Sequence, residues 1–111
     1  IRCYVVEPAR APFFGRGPIT HTRHKIQGVG YAMRPDFWDE SLVDGCLGVT
    51  DEEAVDVARR LAREEGIIAG FSTGANVAAA LRVASQLTED ATVVTIDPDT
   101  GKKYLSTALY D

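Results

Sequence analysis

The sequence has 111 residues, of which 45% are apolar and 25% charged, and 12 Lys and Arg against 16 Asp and Glu give a formal net charge of −4. This length suits one domain, and the composition excludes a disordered chain and a fibrous fold. The acidic balance argues against nucleic acid or an anionic membrane surface as a partner, and no apolar run approaches the roughly 20 residues that span a bilayer. Cys3 and Cys46 are too few for a disulfide scaffold and lack zinc-site spacing, so we expect a cytoplasmic protein.

The first predicted element is a buried strand over residues 1–6 (IRCYVV), which ends before Pro8 because proline cannot continue an internal ladder. A buried parallel strand needs neighbours on both sides, and Ile1 is not a start methionine. We therefore expect the chain to be part of a longer polypeptide. Residues 9–23 are predicted to be a loop, in which Phe13 and Phe14 cover a core or a partner surface.

A short strand is predicted over residues 42–49, followed by a helix. Thr50 and Glu53 form the pattern of a capping box, in which each side chain bonds the other residue's backbone amide. Apolar residues then recur with helical spacing on one face, and Arg60 and Glu64 form an i, i+4 pair on the other. Gly66 is placed to end this helix.

The remaining chain predicts a strand over residues 67–71, a largely buried helix over about residues 75–87 and a strand over residues 91–96. The tail is predicted to contain a short helix or loop around Tyr104. Strands alternating with helices indicate an α/β fold, a parallel sheet with flanking helices in three layers. Residues 1–111 are treated as a single domain.

Ser72-Thr73-Gly74 joins the predicted strand 67–71 to the following helix, where α/β folds place ligands. The same residues also suit an ordinary helix cap, and spacing alone favours that interpretation. The two nucleotide motifs G-x-x-x-x-G-K-[ST] and G-x-G-x-x-G with its acidic partner do not occur.

Gly28 and Gly30 either permit a turn or allow a ligand to approach the backbone. His21 and His24 are expected to be solvated, since no Cys or carboxylate stands at metal-ligand spacing. Cys46 is expected to be a small buried hydrophobe and not a nucleophile. Spacing therefore predicts one candidate ligand loop and no metal site.

Five segments taken in order resemble one known family. They are residues 24–30 (HKIQGVG), 51–54 (DEEA), 58–67 (ARRLAREEGI), 70–75 (GFSTGA) and 97–107 (DPDTGKKYLST). The last two are similar to the Gly-Ile-Ser-Ser-Gly-Ala turn and the closing Pro-Asp-Ser-Gly-Glu-Arg-Tyr-Leu-Ser-Thr of the cysteine synthase (O-acetylserine sulfhydrylase) and cystathionine β-synthase family. The matched segments cover nearly the whole chain, which resembles the C-terminal part of these fold type II pyridoxal-phosphate enzymes.

This resemblance implies that the chain is a C-terminal piece of the larger, tryptophan-synthase-like domain. It implies that Ser72 hydrogen-bonds the pyridine nitrogen of pyridoxal phosphate, and that Gly28 and Gly30 offer backbone to the substrate. The implied activity is β-elimination and β-replacement on O-acetylserine with sulfide, a transferase or lyase reaction of cysteine biosynthesis. The longer protein is expected to be a homodimer acting on a small amino acid, with serine acetyltransferase as a candidate partner.

The family's Schiff-base lysine and glycine-rich phosphate loop precede the matched region. Lys25, Lys102 and Lys103 do not stand in the lysine motif, so the resemblance implies no catalytic residue in this chain and no activity of the chain by itself.

Departures from the family pattern leave the substrate open. Tyr31-Ala32-Met33-Arg34 replaces Ala-Gly-Phe-Ile and is closer to cystathionine β-synthase, whereas the Tyr-Leu-Ser-Thr tail is closer to cysteine synthase. The alternatives are a cystathionine β-synthase-like piece and a non-catalytic α/β binding module that has lost the chemistry.

Overall fold

A computed structural model describes residues 1–15, 17, 24–26 and 33–111. Two parallel strands, β1 (Tyr4–Pro8) and β2 (Gly45–Val49), pair in register from Tyr4 opposite Gly45 to Pro8 opposite Val49. Two helices follow, α1 (Asp51–Arg60) and α2 (Phe71–Ala84). Short 3₁₀ turns occupy Glu40–Leu42 and Gly101–Tyr104. Parallel strands with flanking helices confirm the α/β fold class expected from the sequence.

The start of α1 is the predicted capping box. The Thr50 hydroxyl accepts from the Glu53 amide at 3.1 Å, and the Glu53 carboxylate accepts from the Thr50 amide at 2.8 Å. Beyond Arg60 the helix continues as one wider π turn, Leu61–Glu65, and ends at Gly66. Gly66 has φ of +71°, in the left-handed region where glycine carries no Cβ penalty, which confirms its predicted role.

Helix α2 packs along α1 and contacts both strands, so it joins the helical part of the molecule to the sheet. Arg82 of α2 reinforces this junction by donating to the Gly48 carbonyl at 2.9 Å and to the Glu53 carboxylate at 2.8 Å. The core divides into two clusters of buried side chains. The cluster beside the sheet contains Ile26, Val49, Ala54, Ala75 and Ala79, and the cluster at the N-terminus of α2 contains Ala58, Phe71, Tyr104 and Leu109.

The loop after β1 is held by a buried carboxylate. Glu7 is 3% exposed, and its two oxygens accept from the Phe14 and Gly15 amides, both at 2.8 Å. The Phe14 ring stacks on Trp38 with centroids 4.1 Å apart, and Phe13 meets Phe14 edge to face. Phe14 is thus half-buried against Trp38, whereas Phe13 is 37% exposed, so the predicted cover of a core is not seen at Phe13.

The strands predicted over residues 67–71 and 91–96 are wrong for this chain. Residues 67–71 contribute one antiparallel bridge, between Ala69 and Thr100, and residues 91–96 join no ladder among the described residues. The predicted burial of the first strand also fails at its start, since the strand begins at Tyr4 and Ile1 is fully exposed. All three departures have the same physical reason: a segment forms a strand only when a neighbouring strand supplies partners for its backbone hydrogen bonds.

The second helix begins at Phe71 and ends at Ala84, about four residues earlier than predicted at its start. Its burial is one-sided: Ala75 and Ala79 are buried, whereas Leu81 is 50% exposed. In the described part of the chain, neither helix is long and apolar enough to cross a bilayer.

Candidate functional site

Ser72 lies in the first turn of α2, not in a separate turn before it. The residue is half-buried, and Gly70, the N-cap, offers no side chain to the orphan amides of the helix. A carboxylate from a distant segment takes over that role.

Asp99 caps α2 from outside the helix. One carboxylate oxygen accepts from the Ser72 amide and the other from the Thr73 amide, both at 3.0 Å. A negative charge here also complements the positive end of the helix dipole. The orientation of Ser72 is thus fixed by a residue 27 positions later in the chain.

Two contacts bring Asp99 to this place. The Gly101 amide donates to the Ile68 carbonyl at 2.9 Å, beside the bridge between Ala69 and Thr100. The Tyr110 hydroxyl donates to the Ala69 carbonyl at 2.6 Å. Residues 67–71 were predicted to bond strands of a sheet, and here they bond the C-terminal tail.

Thr73 is fully buried beside two carboxylates. Its hydroxyl lies 2.5 Å from Oδ1 of Asp97 and 2.6 Å from Oδ1 of Asp99. A hydroxyl has one hydrogen, so it donates to one of these carboxylates at a time. Sequence reasoning gave Asp97, Asp99 and Thr73 no such role. The available signal was a helix start without an acidic first turn, followed later by Asp-Pro-Asp.

Tyr104 closes the site on the side of the tail. It is 6% exposed, packs edge to face on Phe71 with centroids 4.9 Å apart, and its hydroxyl lies 3.4 Å from Oδ2 of Asp99. Burial raises the pKa of the Tyr104 phenol, and the nearby Asp99 charge and hydrogen bond raise it further. The phenol therefore stays protonated and keeps donating to Asp99.

Two glycines allow this close packing. A Cβ on Gly70 would overlap the Asp99 carboxylate, and a Cβ on Gly74 would overlap the Ala54 carbonyl of α1. The glycines of the 70–75 segment therefore serve close approach between segments.

The other predicted residues are distributed differently. Gly28 and Gly30 lie outside the described residues, as do His21 and Tyr31. The structure therefore neither joins the two glycines to Ser72 nor separates them from it.

Cys46 is half-buried in β2. Burial raises the pKa of its thiol, and the charges of Glu7 and Glu40 add to this effect. A raised pKa lowers the thiolate fraction of Cys46, and its half-buried position departs from the buried one that the sequence predicts.

Lys25, Lys102 and Lys103 are all exposed. The first follows the loop and the other two stand in the 3₁₀ turn Gly101–Tyr104. None of them lies among the buried groups around Ser72.

The fold and this helix N-terminus define an α/β piece in which the chain's own Asp99 carboxylate caps the polar first turn of α2. The profile of the family described as pyridoxal-phosphate dependent enzyme matches residues 1–99, and the chain belongs to that family.

Three comparisons refine the relationship. The chain is 44% identical to cysteine synthase A of Escherichia coli over 110 residues, which cover 95% of this chain and 34% of that protein. It superposes on a crystal structure of O-ureido-L-serine synthase with a TM-score of 0.90 and 40% identity, covering 99% of this chain and 34% of that one. A crystal structure of the O-acetylserine dependent cystathionine β-synthase from Helicobacter pylori superposes with a TM-score of 0.86 and 39% identity. The match covers 99% of this chain and 35% of that one. The chain thus spans about a third of the length of these relatives.

Proposed function

We propose that this chain is the C-terminal part of a cysteine synthase-like enzyme and that Ser72 contacts the pyridine nitrogen of pyridoxal phosphate. The observation that carries the proposal is the fixed first turn of α2, within a chain 44% identical to E. coli cysteine synthase A. Asp99 accepts from the Ser72 and Thr73 amides, which flank the Ser72 Cα, so the backbone that carries the Ser72 hydroxyl is held in place.

The residues present fit the ring nitrogen of the cofactor. A pyridine nitrogen needs one hydrogen-bonding group, and Ser72 is half-buried at a helix N-terminus with its backbone already anchored. Bound pyridoxal phosphate supplies an electron sink for the amino-acid substrate. A neutral hydroxyl at Ser72 would hold the ring nitrogen without donating a full positive charge to it, which would suit β-elimination and β-replacement. Gly28 and Gly30 are proposed to offer backbone contacts to the substrate.

We propose an O-substituted serine as the substrate, with sulfide as the nucleophile. The similar proteins are named as synthases of cysteine, O-ureido-L-serine and cystathionine, and each of these products is an amino acid substituted at its β-carbon. The cystathionine-type reaction is the second candidate, favoured by the H. pylori structure at 39% identity. Turnover with sulfide against turnover with homocysteine separates the two.

The first test is the coding sequence upstream of Ile1. A reading frame that carries a lysine motif and a glycine-rich phosphate loop supports the enzyme. A start codon with neither motif contradicts it and favours the non-catalytic binding module. The purified chain, supplied with O-acetylserine, sulfide and pyridoxal phosphate, is expected to give no turnover above free cofactor, and turnover above that level contradicts the proposed division of the site.

The role of Ser72 is tested in a chimera, E. coli cysteine synthase A carrying this chain in place of its matched segment. Ser72→Ala removes one hydrogen bond to the cofactor, so we expect about a tenfold loss of kcat/KM and a shifted cofactor absorbance. Ser85→Ala is the matched control, because Ser85 is the C-cap at the far end of α2 and its hydroxyl donates to the Arg82 carbonyl at 2.8 Å. Equal behaviour of the two variants contradicts the assignment.

We also propose that the longer enzyme is a cytoplasmic homodimer, with serine acetyltransferase as a candidate partner. Both assemblies are expectations from the resemblance to cysteine synthases. Sedimentation of the chimera alone and with serine acetyltransferase tests them.

A further inference from the structure

The Asp99 carboxylate accepts from an amide and a hydroxyl on each of its oxygens. Oδ1 accepts from the Thr73 amide at 3.0 Å and from the Thr73 hydroxyl at 2.6 Å. Oδ2 accepts from the Ser72 amide at 3.0 Å and from the Tyr104 hydroxyl at 3.4 Å. The carboxylate is therefore held on both sides, and the oxygen that binds the Ser72 amide is the one that Tyr104 reaches.

The two hydroxyls that reach Asp99 are not equivalent. A hydroxyl carries one hydrogen and donates it to one acceptor at a time. The Thr73 hydroxyl also lies 2.5 Å from Oδ1 of Asp97, so its hydrogen is divided between two carboxylates. The Tyr104 hydroxyl donates to Oδ2 of Asp99, beside the Ser72 amide. Of the two hydroxyls, that of Tyr104 therefore bears more directly on the position of Ser72.

The Tyr104 ring is itself fixed against the start of α2. It is 6% exposed and packs edge to face on Phe71, the residue before Ser72. Gly70 leaves room for the ring, since a Cβ there would lie 2.5 Å from a ring carbon of Tyr104. The Thr107 hydroxyl donates to the Tyr104 carbonyl at 2.6 Å and so holds its backbone. A phenol fixed in this way can hold a neighbouring carboxylate in one orientation.

We infer that Tyr104 is a positioning residue for Ser72: its hydroxyl fixes Oδ2 of Asp99, and that oxygen fixes the Ser72 amide. The Ser72 hydroxyl then extends from a backbone with one orientation. The inference deepens the proposed function and rests on it in taking Ser72 as the contact to pyridoxal phosphate. The connection from Tyr104 through Asp99 to Ser72 belongs to this chain's own residues and can be measured without the cofactor.

The first test is amide hydrogen exchange in this chain without cofactor. Tyr104→Phe removes the hydroxyl and keeps the ring on Phe71. We expect exchange at the Ser72 and Thr73 amides to become about fivefold faster, because the cap loses one hydrogen bond. The Ala79 amide, inside α2, should keep its rate, whereas a general loss of stability would speed exchange there as well.

Tyr4→Phe is the matched control, since it removes the same hydroxyl from a residue of β1 and not from the helix start. Faster exchange confined to Ser72 and Thr73 in Tyr104→Phe supports the inference. Unchanged exchange in Tyr104→Phe, equal acceleration at Ala79, or the same acceleration in Tyr4→Phe overturns it.

The second test reads the cofactor absorbance of the chimera loaded with pyridoxal phosphate. Tyr104→Phe should shift the absorbance in the same direction as Ser72→Ala and by less. It should add no shift to a chimera that already carries Ser72→Ala, because Tyr104 acts through that residue. Additive shifts overturn the inference. If Ser72→Ala leaves the absorbance unchanged, the proposed cofactor contact fails, and the exchange measurement still decides whether Tyr104 positions Ser72.

Discussion

The N-terminal turn of α2 and the second edge of β1 differ in how far the described residues supply their hydrogen-bond partners. At the helix start, Asp99 accepts from the Ser72 and Thr73 amides, and Tyr104 packs over the junction. The edge of β1 away from β2 has no strand partner among the described residues, and Val94 and Ile96 are exposed. The C-terminal tail thus caps the helix start, whereas one edge of the sheet has no partner in the part of the chain that the structure describes.

This difference assigns separate tasks to the two regions. The backbone that carries Ser72 is held by the Asp99 carboxylate of the same chain. The free edge of β1 makes self-association of the isolated chain the expected behaviour. A monomer with a cooperative melt would contradict that expectation, and gel filtration with calorimetry checks it.

The largest expected effect is at Gly74, where α2 touches α1. Gly74→Ala places a methyl group against the Ala54 carbonyl, which forces the helices apart and costs about 3 kcal/mol of unfolding free energy. Gly66→Ala is the matched control, because its Cβ meets nothing and its φ of +71° costs only about 1 kcal/mol. Urea unfolding measured by circular dichroism compares them. Equal losses of unfolding free energy in the two variants would show that the close contact between α1 and α2 at Gly74 does not stabilise the chain.

Removal of the cap at Asp99 is expected to have the next largest effect. Asp99→Ala leaves two amides and the Thr73 hydroxyl with one acceptor fewer each, which costs about 2 kcal/mol. Asp99→Asn keeps one acceptor oxygen and should lose about half as much. Asp90→Ala, at an exposed carboxylate bonded to Thr88, should leave the urea midpoint unchanged. If Asp90→Ala lowers the unfolding free energy as much as Asp99→Ala, capping of α2 by Asp99 does not explain the loss.

The sequence predicted local structure better than long-range structure. The capping box at Thr50 and Glu53, the Gly66 terminus and the Arg60–Glu64 pair at 3.0 Å all depend on residues close in the chain, and all three are confirmed. The start of α2 was misplaced because its capping residue, Asp99, is remote and no pattern within the helix announces it.

The two failed strands have a different cause. Residues 67–71 and 91–96 have the composition of buried strands, and composition reports what a segment can do when partners are present. In this chain residues 67–71 meet the tail, and residues 91–96 join no ladder among the described residues. The position of Ser72 at a helix N-terminus was predictable, but its support by Asp99, Thr73 and Tyr104 was not.

A smaller effect is expected where Arg59 holds the tail. Its guanidinium donates to the Leu109 carbonyl at 2.7 Å and to the Ala108 carbonyl at 2.6 Å. Arg59→Lys loses this paired geometry, and we expect a cost of about 1 kcal/mol and faster proteolysis of the tail. Arg60→Ala is the adjacent control: it breaks only the exposed pair with Glu64 and should change neither property. Matching losses would mean that the tail is not fixed through Arg59.

The smallest effect is the pH dependence set by Glu53. The hydrogen bond from the Thr50 amide lowers the pKa of Glu53 below its ordinary value of 4.5, and the Thr50 hydroxyl contact and the Arg82 charge lower it further. A lowered folded-state pKa means that this contribution to stability is complete above pH 4.5 and is lost as the pH falls through the folded value. The effect is small because the side chain is 44% exposed. Glu53→Gln should flatten this acid limb of the stability curve, whereas Glu52→Gln at the exposed neighbouring position should retain it. Urea midpoints measured from about pH 7 to about pH 3 decide between them, since a limb that survives in Glu53→Gln belongs to another carboxylate.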